Sequence, residues 1–282
     1  MKVATEVAGE KHVLDCLEYG VDMVWIGART TASPFLVQEI ADALKGKDIP
    51  VLVKNPVNPD IDLWIGALER LNQAGIRKLG VVHRGFSSTE KIPYRNSPGW
   101  QLAVELRTRY PELPFFADPS HMGGDRKYLH EISQRALDLG LDGLMVETHC
   151  DPSCAMSDAR QQITPEEFGR LVSGLIVRQN DTDSPDYKEN MYQLRAQIDV
   201  IDENLLSLLN ARMNLSRSIG LYKKAHNISI LQTSRWESIL SQMIEKAKAY
   251  GLPEEFVTEI FNAIHEESVQ QQNRILSDRD AD

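Results

Sequence analysis

Two hydrophobic segments in the first two thirds of the chain are followed by side chains that could bind a metal ion. His121 lies just beyond the apolar run at residues 115–118, Glu147 ends the run at residues 143–147, and Asp158 follows shortly afterwards. One imidazole and two carboxylates, delivered from neighbouring strand ends, suit a divalent metal in an open site. This part of the chain is therefore predicted to be an enzyme.

A second set of polar residues interrupts the apolar pattern of the last third of the chain. Its members are Arg195, Arg212, Lys223, Arg235, Ser268 and Gln272. On an ideal helix Arg212 and Lys223 fall within about 20° of the same face and about 16 Å apart, so they could grip both ends of one small molecule. Arg195 and Arg212 lie about 100° apart around the helix and about 25 Å apart along it. Arg195 must therefore serve a different site from Arg212 within one chain, or none.

The elements that position the first set alternate between short apolar runs and amphipathic segments, which predicts a parallel α/β fold. Six strands are predicted, at residues 2–6, 23–27, 50–54, 79–83, 115–118 and 143–147. Helices are predicted at residues 10–19, 34–44, 61–74, 100–109, 126–139 and 165–176. Polar residues follow every strand, which favours a βα-barrel over a doubly wound sheet because barrel sites form at the carboxyl ends of the strands. A closed barrel needs eight such units, and six are present.

The later part of the chain has a different pattern. Residues 177–188 are polar and turn-prone and are predicted to be a linker between a domain at 1–176 and one at 189–276, with a frayed tail at 277–282. Residues 191–224 have apolar side chains at helical spacing and no proline, which predicts one long helix. Two further helices are predicted at 234–250 and 253–276. Because three helices of such unequal length rarely bury their apolar faces alone, we expect a homodimer.

The charge and composition of the chain argue against some classes of partner and favour a cytoplasmic location. The formal net charge of the 282 residues is −10, which argues against binding to nucleic acid or to an anionic membrane. Neither a membrane-spanning apolar run nor a signal peptide is visible. The cysteines are scattered without zinc-site spacing, which favours reduced thiols and a cytoplasmic protein.

The helical domain, from Tyr192 to Leu276, resembles the all-helical chorismate mutases in residue types and spacing over three helices. The resemblance implies an intertwined dimer in which Arg195 enters the partner's site and, with Arg212, holds the carboxylates of chorismate. It further implies that Lys223 and Gln272 donate hydrogen bonds to the ether oxygen, that Arg235 adds positive potential and that Ser268 touches a carboxylate. No acid, base, nucleophile or cofactor is required, because chorismate rearranges within itself.

The resemblance has one departure near the substrate hydroxyl. Where the family often carries an aspartate and a glutamate, this chain has Gln232 and Trp236. Gln232 can accept a hydrogen bond and Trp236 cannot, so either Glu237 is redirected or the contact with the hydroxyl is weaker.

The first domain resembles 3-deoxy-D-arabino-heptulosonate 7-phosphate (DAHP) synthase. The resemblance rests on the ordered series Ile26-Gly-Ala-Arg-Thr-Thr31, Val51-Leu-Val-Lys-Asn55, His83-Arg-Gly-Phe86 and Asp118-Pro-Ser-His-Met-Gly-Gly124. It implies that Arg29 and Arg84 bind the phosphate of phosphoenolpyruvate and that Lys54 binds its carboxylate. It also implies that His121, Glu147 and Asp158 ligate a divalent metal of the Mn, Fe, Co or Zn type, which polarises the aldehyde of erythrose 4-phosphate. The implied fold is an incomplete TIM-type barrel followed by a helical mutase domain.

Several alternatives remain open from the sequence. In the synthase family two strands, a cysteine ligand and a Lys-Pro-Arg-Thr segment precede the point that corresponds to Met1, so we expect a truncated barrel with an incomplete synthase site. The barrel remnant could instead be a non-catalytic binding or interaction module attached to an active mutase. It could also make the related eight-carbon sugar acid phosphate, although fusion to a mutase argues against this. Glu147 could pair with Lys54 rather than bind a metal.

Overall fold

The computed structural model describes residues 2–89, 91–179, 182–230 and 233–277. The chain divides into two compact units, Met1–Asp181 and Thr182–Asp282. Each unit contains one of the two sets of polar residues. No helix in the described ranges is both long and apolar enough to cross a bilayer.

The first unit is built on a parallel six-stranded sheet whose strands follow one another in chain order, β1-β2-β3-β4-β5-β6. The strands are β1 (Ala4–Val7), β2 (Met23–Ile26), β3 (Val51–Lys54), β4 (Leu79–His83), β5 (Phe115–Ala117) and β6 (Gly143–Leu144). The α-helices are α1 (Glu10–Glu18), α2 (Ala28–Thr31), α3 (Pro34–Leu44), α4 (Ile61–Gln73), α5 (Trp100–Arg109), α6 (Pro119–Gly123), α7 (Leu129–Asp138) and α8 (Pro165–Gly174). This order is that of a βα-barrel, as predicted.

The middle of the sheet is covered on both faces. All four residues of β3 are buried, which is typical of a parallel strand with helices packed against it. The helix α4 begins where the side chain of Asp60 accepts a hydrogen bond from the N–H of Leu63. Trp64 of this helix is fully buried and meets the ring of Phe115 edge-on, with 5.7 Å between the ring centroids. This core fixes the positions from which the strand-end side chains emerge.

The strand at residues 143–147 is shorter than predicted. Only Gly143 and Leu144 pair with β5, and the N–H of Glu147 donates to the side-chain oxygen of Ser120 instead of continuing the ladder. The predicted helix at 126–139 also divides into a 3₁₀ turn, Arg126–Tyr128, and α7. The hydrogen bond to Ser120 thus takes the place of strand pairing at Glu147. At the start of the 3₁₀ turn, the side chain of Asp125 accepts a hydrogen bond from the N–H of Lys127.

In its described residues the second unit consists of three helices, α9 (Pro185–Ala225), α10 (Thr233–Ala249) and α11 (Glu254–Ser277). The long helix begins inside the predicted linker, because Ser184 accepts a hydrogen bond from the N–H of Tyr187 and Pro185 suits the first helical turn. α9 and α11 approach closely at Gly220, where an added Cβ would lie 3.2 Å from the Cα atom of Gln272. The predicted tail lies outside the described residues beyond Ser277.

One face of α9 is left exposed by the described residues of the single chain. Leu194, Ile198, Ile201, Leu205 and Leu208 are between 53 % and 67 % exposed. These residues form the apolar stripe that predicted the long helix. A continuous apolar surface of this kind is typical of an interaction surface.

Candidate metal centre and anion-binding cavity

The structure brings His121, Glu147 and Asp158 together beyond the carboxyl ends of β5 and β6. One ligand atom from each of the three side chains lies within 4.8 Å of the others. His121 lies on α6, and its Nε2 atom is 3.3 Å from Oε1 of Glu147. Asp158 has a φ of 53°, a left-handed conformation that aspartate adopts more readily than most residues. The donor set and its spacing fit a divalent cation.

Asp118 contacts His121 at the ring nitrogen that does not face Glu147. Its Oδ2 atom lies 2.8 Å from Nδ1 of His121 and 2.8 Å from Nζ of Lys54. Burial raises the pKa of Asp118, but the hydrogen bond from His121 and the charge of Lys54 outweigh it and lower the pKa to about 2. A carboxylate that contacts the second ring nitrogen of a metal-ligating histidine fixes the orientation of the ring. This role was missed in the sequence, although Asp118 stands in the motif that contains His121.

Glu147 does not pair with Lys54, which was the alternative to metal binding left open by the sequence. Lys54, at the end of β3, pairs with Asp118, which directly follows β5, across the intervening strand β4. Glu147 instead accepts a hydrogen bond from Nε2 of Gln161 at 2.8 Å. Gln161 in turn accepts one from Arg95, which also binds Asp158 at 2.7 Å. Arg95 and Gln161 therefore connect the two carboxylates, a bridge for which no sequence pattern provides a signal.

The predicted phosphate-binding arginines differ in their surroundings. Arg84 is held by a hydrogen bond from Nη1 to Oδ1 of Asn96 at 3.0 Å. Burial lowers the pKa of Arg84; the charges of Asp118 and Asp158 oppose this change, and those of Arg95 and Arg29 add to it. Arg29 lies on the short helix α2 and is exposed. The positive charges of Arg29 and Arg95 thus act on Arg84, an arrangement that favours anion binding.

The second unit contains a cavity of about 240 Å³ between its three helices. Five of the six predicted mutase residues line it: Arg212, Lys223, Arg235, Ser268 and Gln272. Among the described residues, its charged lining side chains are all cations and none is a carboxylate. The cavity is therefore suited to a small anion.

Hydrogen bonds hold two of these cations in place. Arg212 donates to the side-chain oxygen of Ser268 and, at 3.3 Å, to the carbonyl of Ile264. Burial lowers the pKa of Arg212. The Nζ atom of Lys223 donates to the carbonyl of Ile230 at 2.5 Å. Oε1 of Gln272 is buried with no hydrogen-bond partner among the described residues.

Arg195 is not part of this cavity. It lies on the exposed surface of α9 and does not belong to the lining residues. This agrees with the helical geometry, which prevents Arg195 and Arg212 of one chain from holding the same small ligand. Its predicted place in a partner's site is not tested by a single chain.

A pair of stacked rings lining the cavity was not predicted. The ring centroids of Trp236 and His265 are 4.0 Å apart and their planes differ by 13°. Glu237 is exposed and is absent from the lining, so it does not replace a carboxylate there. Gln232, predicted to accept a hydrogen bond from the substrate, lies outside the described residues.

The fold and the two sites define a chain of two joined enzyme domains, one of the βα-barrel type and one all-helical. Residues 1–181 match the DAHP synthetase I family, and the chain belongs to that family. Residues 194–273 match the family described as chorismate mutase type II, so the two families are fused in one chain.

Known relatives resemble the first unit. A phospho-2-dehydro-3-deoxyheptonate aldolase of Thermotoga maritima is 33 % identical over 172 residues, which cover 61 % of this chain and 49 % of the relative. A truncated form of 3-deoxy-D-arabino-heptulosonate 7-phosphate synthase from the same organism has a solved structure with 31 % identity and a TM-score of 0.55. That match covers 61 % of this chain and 63 % of the solved one.

A 2-dehydro-3-deoxyphosphooctonate aldolase of Desulfotalea psychrophila is 28 % identical over 153 residues, or 49 % of this chain and 50 % of the relative. The chain thus spans about half the length of these two curated relatives.

Proposed function

We propose that the second unit is a chorismate mutase, which converts chorismate to prephenate. The observation that carries this proposal is the cavity in which Arg212, Lys223, Arg235, Ser268 and Gln272 meet. Chorismate is a dianion, and this lining offers several cations and, among the described residues, no carboxylate. Its match to the chorismate mutase type II family supports the same assignment.

Catalysis in this cavity needs only binding and charge stabilisation. Arg212, already fixed by Ser268 and Ile264, holds one substrate carboxylate without a further loss of side-chain freedom. Lys223 and Gln272 donate hydrogen bonds to the ether oxygen as negative charge develops on it. These contacts select the folded conformer of chorismate in which the new carbon–carbon bond forms while the carbon–oxygen bond breaks.

A homodimer would complete the site. The exposed leucines and isoleucines of α9 offer a surface that a second copy of the same helix could cover. Arg195 lies on this helix, and in such a dimer it would enter the partner's cavity to hold the second carboxylate. Size measurement in solution, together with chorismate turnover by the purified chain, tests both statements. A monomer that rearranges chorismate at the full rate would contradict the dimeric site.

For the first unit we propose the chemistry of a DAHP synthase, the condensation of phosphoenolpyruvate with erythrose 4-phosphate. Its support is the trio His121, Glu147 and Asp158, whose donor atoms fit a divalent metal. Such an ion would polarise the aldehyde of the acceptor substrate. Arg29 and Arg84 would bind the phosphate of phosphoenolpyruvate, and Lys54 would bind its carboxylate through the hydrogens not engaged by Asp118.

A second candidate function for the first unit is that of a non-catalytic module that binds phosphoenolpyruvate or another partner. The observation in its favour is that Arg84, with the charges of Arg29 and Arg95 acting on it, offers an anion-binding position that needs no metal. An assay of the purified chain with both synthase substrates and Mn²⁺ separates the two candidates, because turnover would exclude the non-catalytic module. A parallel assay with a five-carbon sugar phosphate tests the octulosonate-forming reaction. A cytoplasmic location for either activity stays a prediction.

A further inference from the structure

The stacked pair of Trp236 and His265 lies at the cavity but has no part in the mechanism above. Trp236 comes from α10 and His265 from α11, so the contact joins two helices across the site. With 4.0 Å between the ring centroids and nearly parallel planes, the indole covers one face of the imidazole. The imidazole can therefore rotate only in a plane parallel to the indole. Its nitrogen atoms remain at the edge of the stack, where they are not covered by the indole.

The cavity has few groups that can accept a hydrogen bond from a ligand. The hydroxyl oxygen of Ser268 already accepts from Arg212 and donates to the carbonyl of Ile264 at 2.7 Å. The cations only donate. Within the described lining, Oε1 of Gln272 is buried without a protein partner, and further acceptors are the hydroxyl of Ser216 and the imidazole of His265.

The charge state of His265 suits the acceptor role. Burial lowers the pKa of His265, and the positive charge of Arg212 lowers it further. At neutral pH the ring is therefore uncharged, with one nitrogen that donates and one that accepts.

From this arrangement we infer that His265, oriented by Trp236, accepts the hydrogen bond of the ring hydroxyl of a hydroxylated dicarboxylate substrate. This inference rests on the proposed chorismate mutase function. Chorismate has two carboxylates and an ether oxygen for the donors of the cavity, and one hydroxyl that needs an acceptor. Nε2 of Gln272 is engaged at the ether oxygen, and His265 offers the hydroxyl an acceptor whose orientation is held by the stack on Trp236. His265 is then a specificity-determining residue and Trp236 a positioning residue.

The test compares two substrates: chorismate and an analogue in which hydrogen replaces the ring hydroxyl. We expect His265→Leu to lower kcat/KM for chorismate by about 10- to 100-fold, the usual effect of leaving a buried hydroxyl without its partner. The same change should alter kcat/KM for the analogue by less than about 3-fold, because no hydrogen bond to the hydroxyl is lost.

Two further variants keep the test decisive if His265→Leu does not fold. His265→Gln retains an acceptor and should recover part of the selectivity for the hydroxylated substrate. Trp236→Ala releases the imidazole and should reduce that selectivity, whereas Trp236→Phe retains a stacked ring and should preserve it. Gln270→Leu is the matched control, since Gln270 is an exposed polar residue of the same helix.

Failure of the role of His265 can be distinguished from failure of the proposed mutase function. Equal losses on both substrates, or no loss on chorismate, would overturn the role of His265 while the mutase function stands. An unmodified chain that neither binds nor rearranges chorismate would overturn the proposed function and this inference with it.

Discussion

The Nζ atom of Lys54 lies 2.8 Å from Oδ2 of Asp118, and the two side chains are only 8 % and 1 % exposed. The two residues are 64 positions apart in the chain and meet because β3 and the end of β5 belong to one sheet. A buried charge that loses its partner is far more destabilising than an exposed one. Removal of either side chain alone is therefore expected to lower the free energy of unfolding of the first unit.

We expect Lys54→Met to lower the free energy of unfolding of the first unit by about 3 kcal/mol or more, because it leaves the buried charge of Asp118 without its cation and with contacts from His121 alone. Urea unfolding followed by tryptophan fluorescence measures this, since Trp25, Trp64 and Trp100 lie in that unit. Lys78→Met is the control: its ion pair with Asp48 is exposed, so a change of less than about 1 kcal/mol is expected. Similar losses for both variants would contradict the argument from burial.

Replacement of Asp118 tests the metal centre separately. Asp118→Asn removes the carboxylate behind His121, and we expect the affinity for Mn²⁺ to fall about 10- to 100-fold. Calorimetric titration of the purified chain measures the affinity without any need for turnover. Asp48→Asn, which removes an exposed carboxylate of the same unit, should leave it unchanged. Unchanged Mn²⁺ binding in Asp118→Asn would argue against a supporting role for this carboxylate.

In the second unit, Arg212→Ala should reduce kcat/KM for chorismate by about 100-fold or more, equivalent to about 3 kcal/mol of transition-state stabilisation. The reason is the loss of a charged donor that is already held in place at the cavity. Arg217→Ala is a suitable comparison, because Arg217 is an exposed arginine of the same helix that hydrogen-bonds Gln271 outside the cavity lining. Near-normal turnover by Arg212→Ala would refute the site.

Arg195 is expected to act in the partner's cavity, which mixed dimers can test. After subunit exchange between Arg195→Ala and Arg212→Ala chains, half of the dimers are hybrids and each hybrid has one intact site. Because the two sites of a symmetric dimer are equivalent, recovery of about a quarter of the unmodified activity is expected. Exchange is verified first by mass labelling of one variant. No recovery after verified exchange would exclude the shared site.

Asp142 should make the stability of the first unit depend on acid pH. Burial raises its pKa, but the hydrogen bonds from Arg107 and from the N–H of Phe115 outweigh this and keep the pKa below its usual range. A carboxyl whose pKa is lower in the folded state stabilises the fold above its unfolded pKa of about 3.9, and this contribution is lost as pH falls through the folded value.

The corresponding variant is Asp142→Asn. At pH 7 it should be the less stable protein, by about 1 kcal/mol or less because the pair is partly exposed, and the difference should shrink below about pH 4. Thermal unfolding from pH 7 to pH 3 measures the difference. A gap that widens towards acid pH would show that the pKa is raised rather than lowered.

The sequence by itself determined the order of elements and the chemical groups of both sites. Alternating apolar and amphipathic segments predicted the six βα units, because strand and helix periodicities differ along the chain. The trio His121, Glu147 and Asp158 could be predicted because the carboxyl ends of adjacent parallel strands meet at one edge of a sheet. Arg212 and Lys223 could be placed on one face because helical spacing is regular.

Only the tertiary structure decided which side chains face one another across elements. The pairing of Lys54 with Asp118 rather than Glu147, and the Arg95–Gln161 bridge, depend on side-chain direction at strand ends and in loops. The stack of Trp236 on His265 depends on how α10 and α11 pack, and this packing leaves the imidazole partly buried. Such contacts join residues far apart in sequence, where no local periodicity constrains their distance, so they follow from close packing of the folded chain alone.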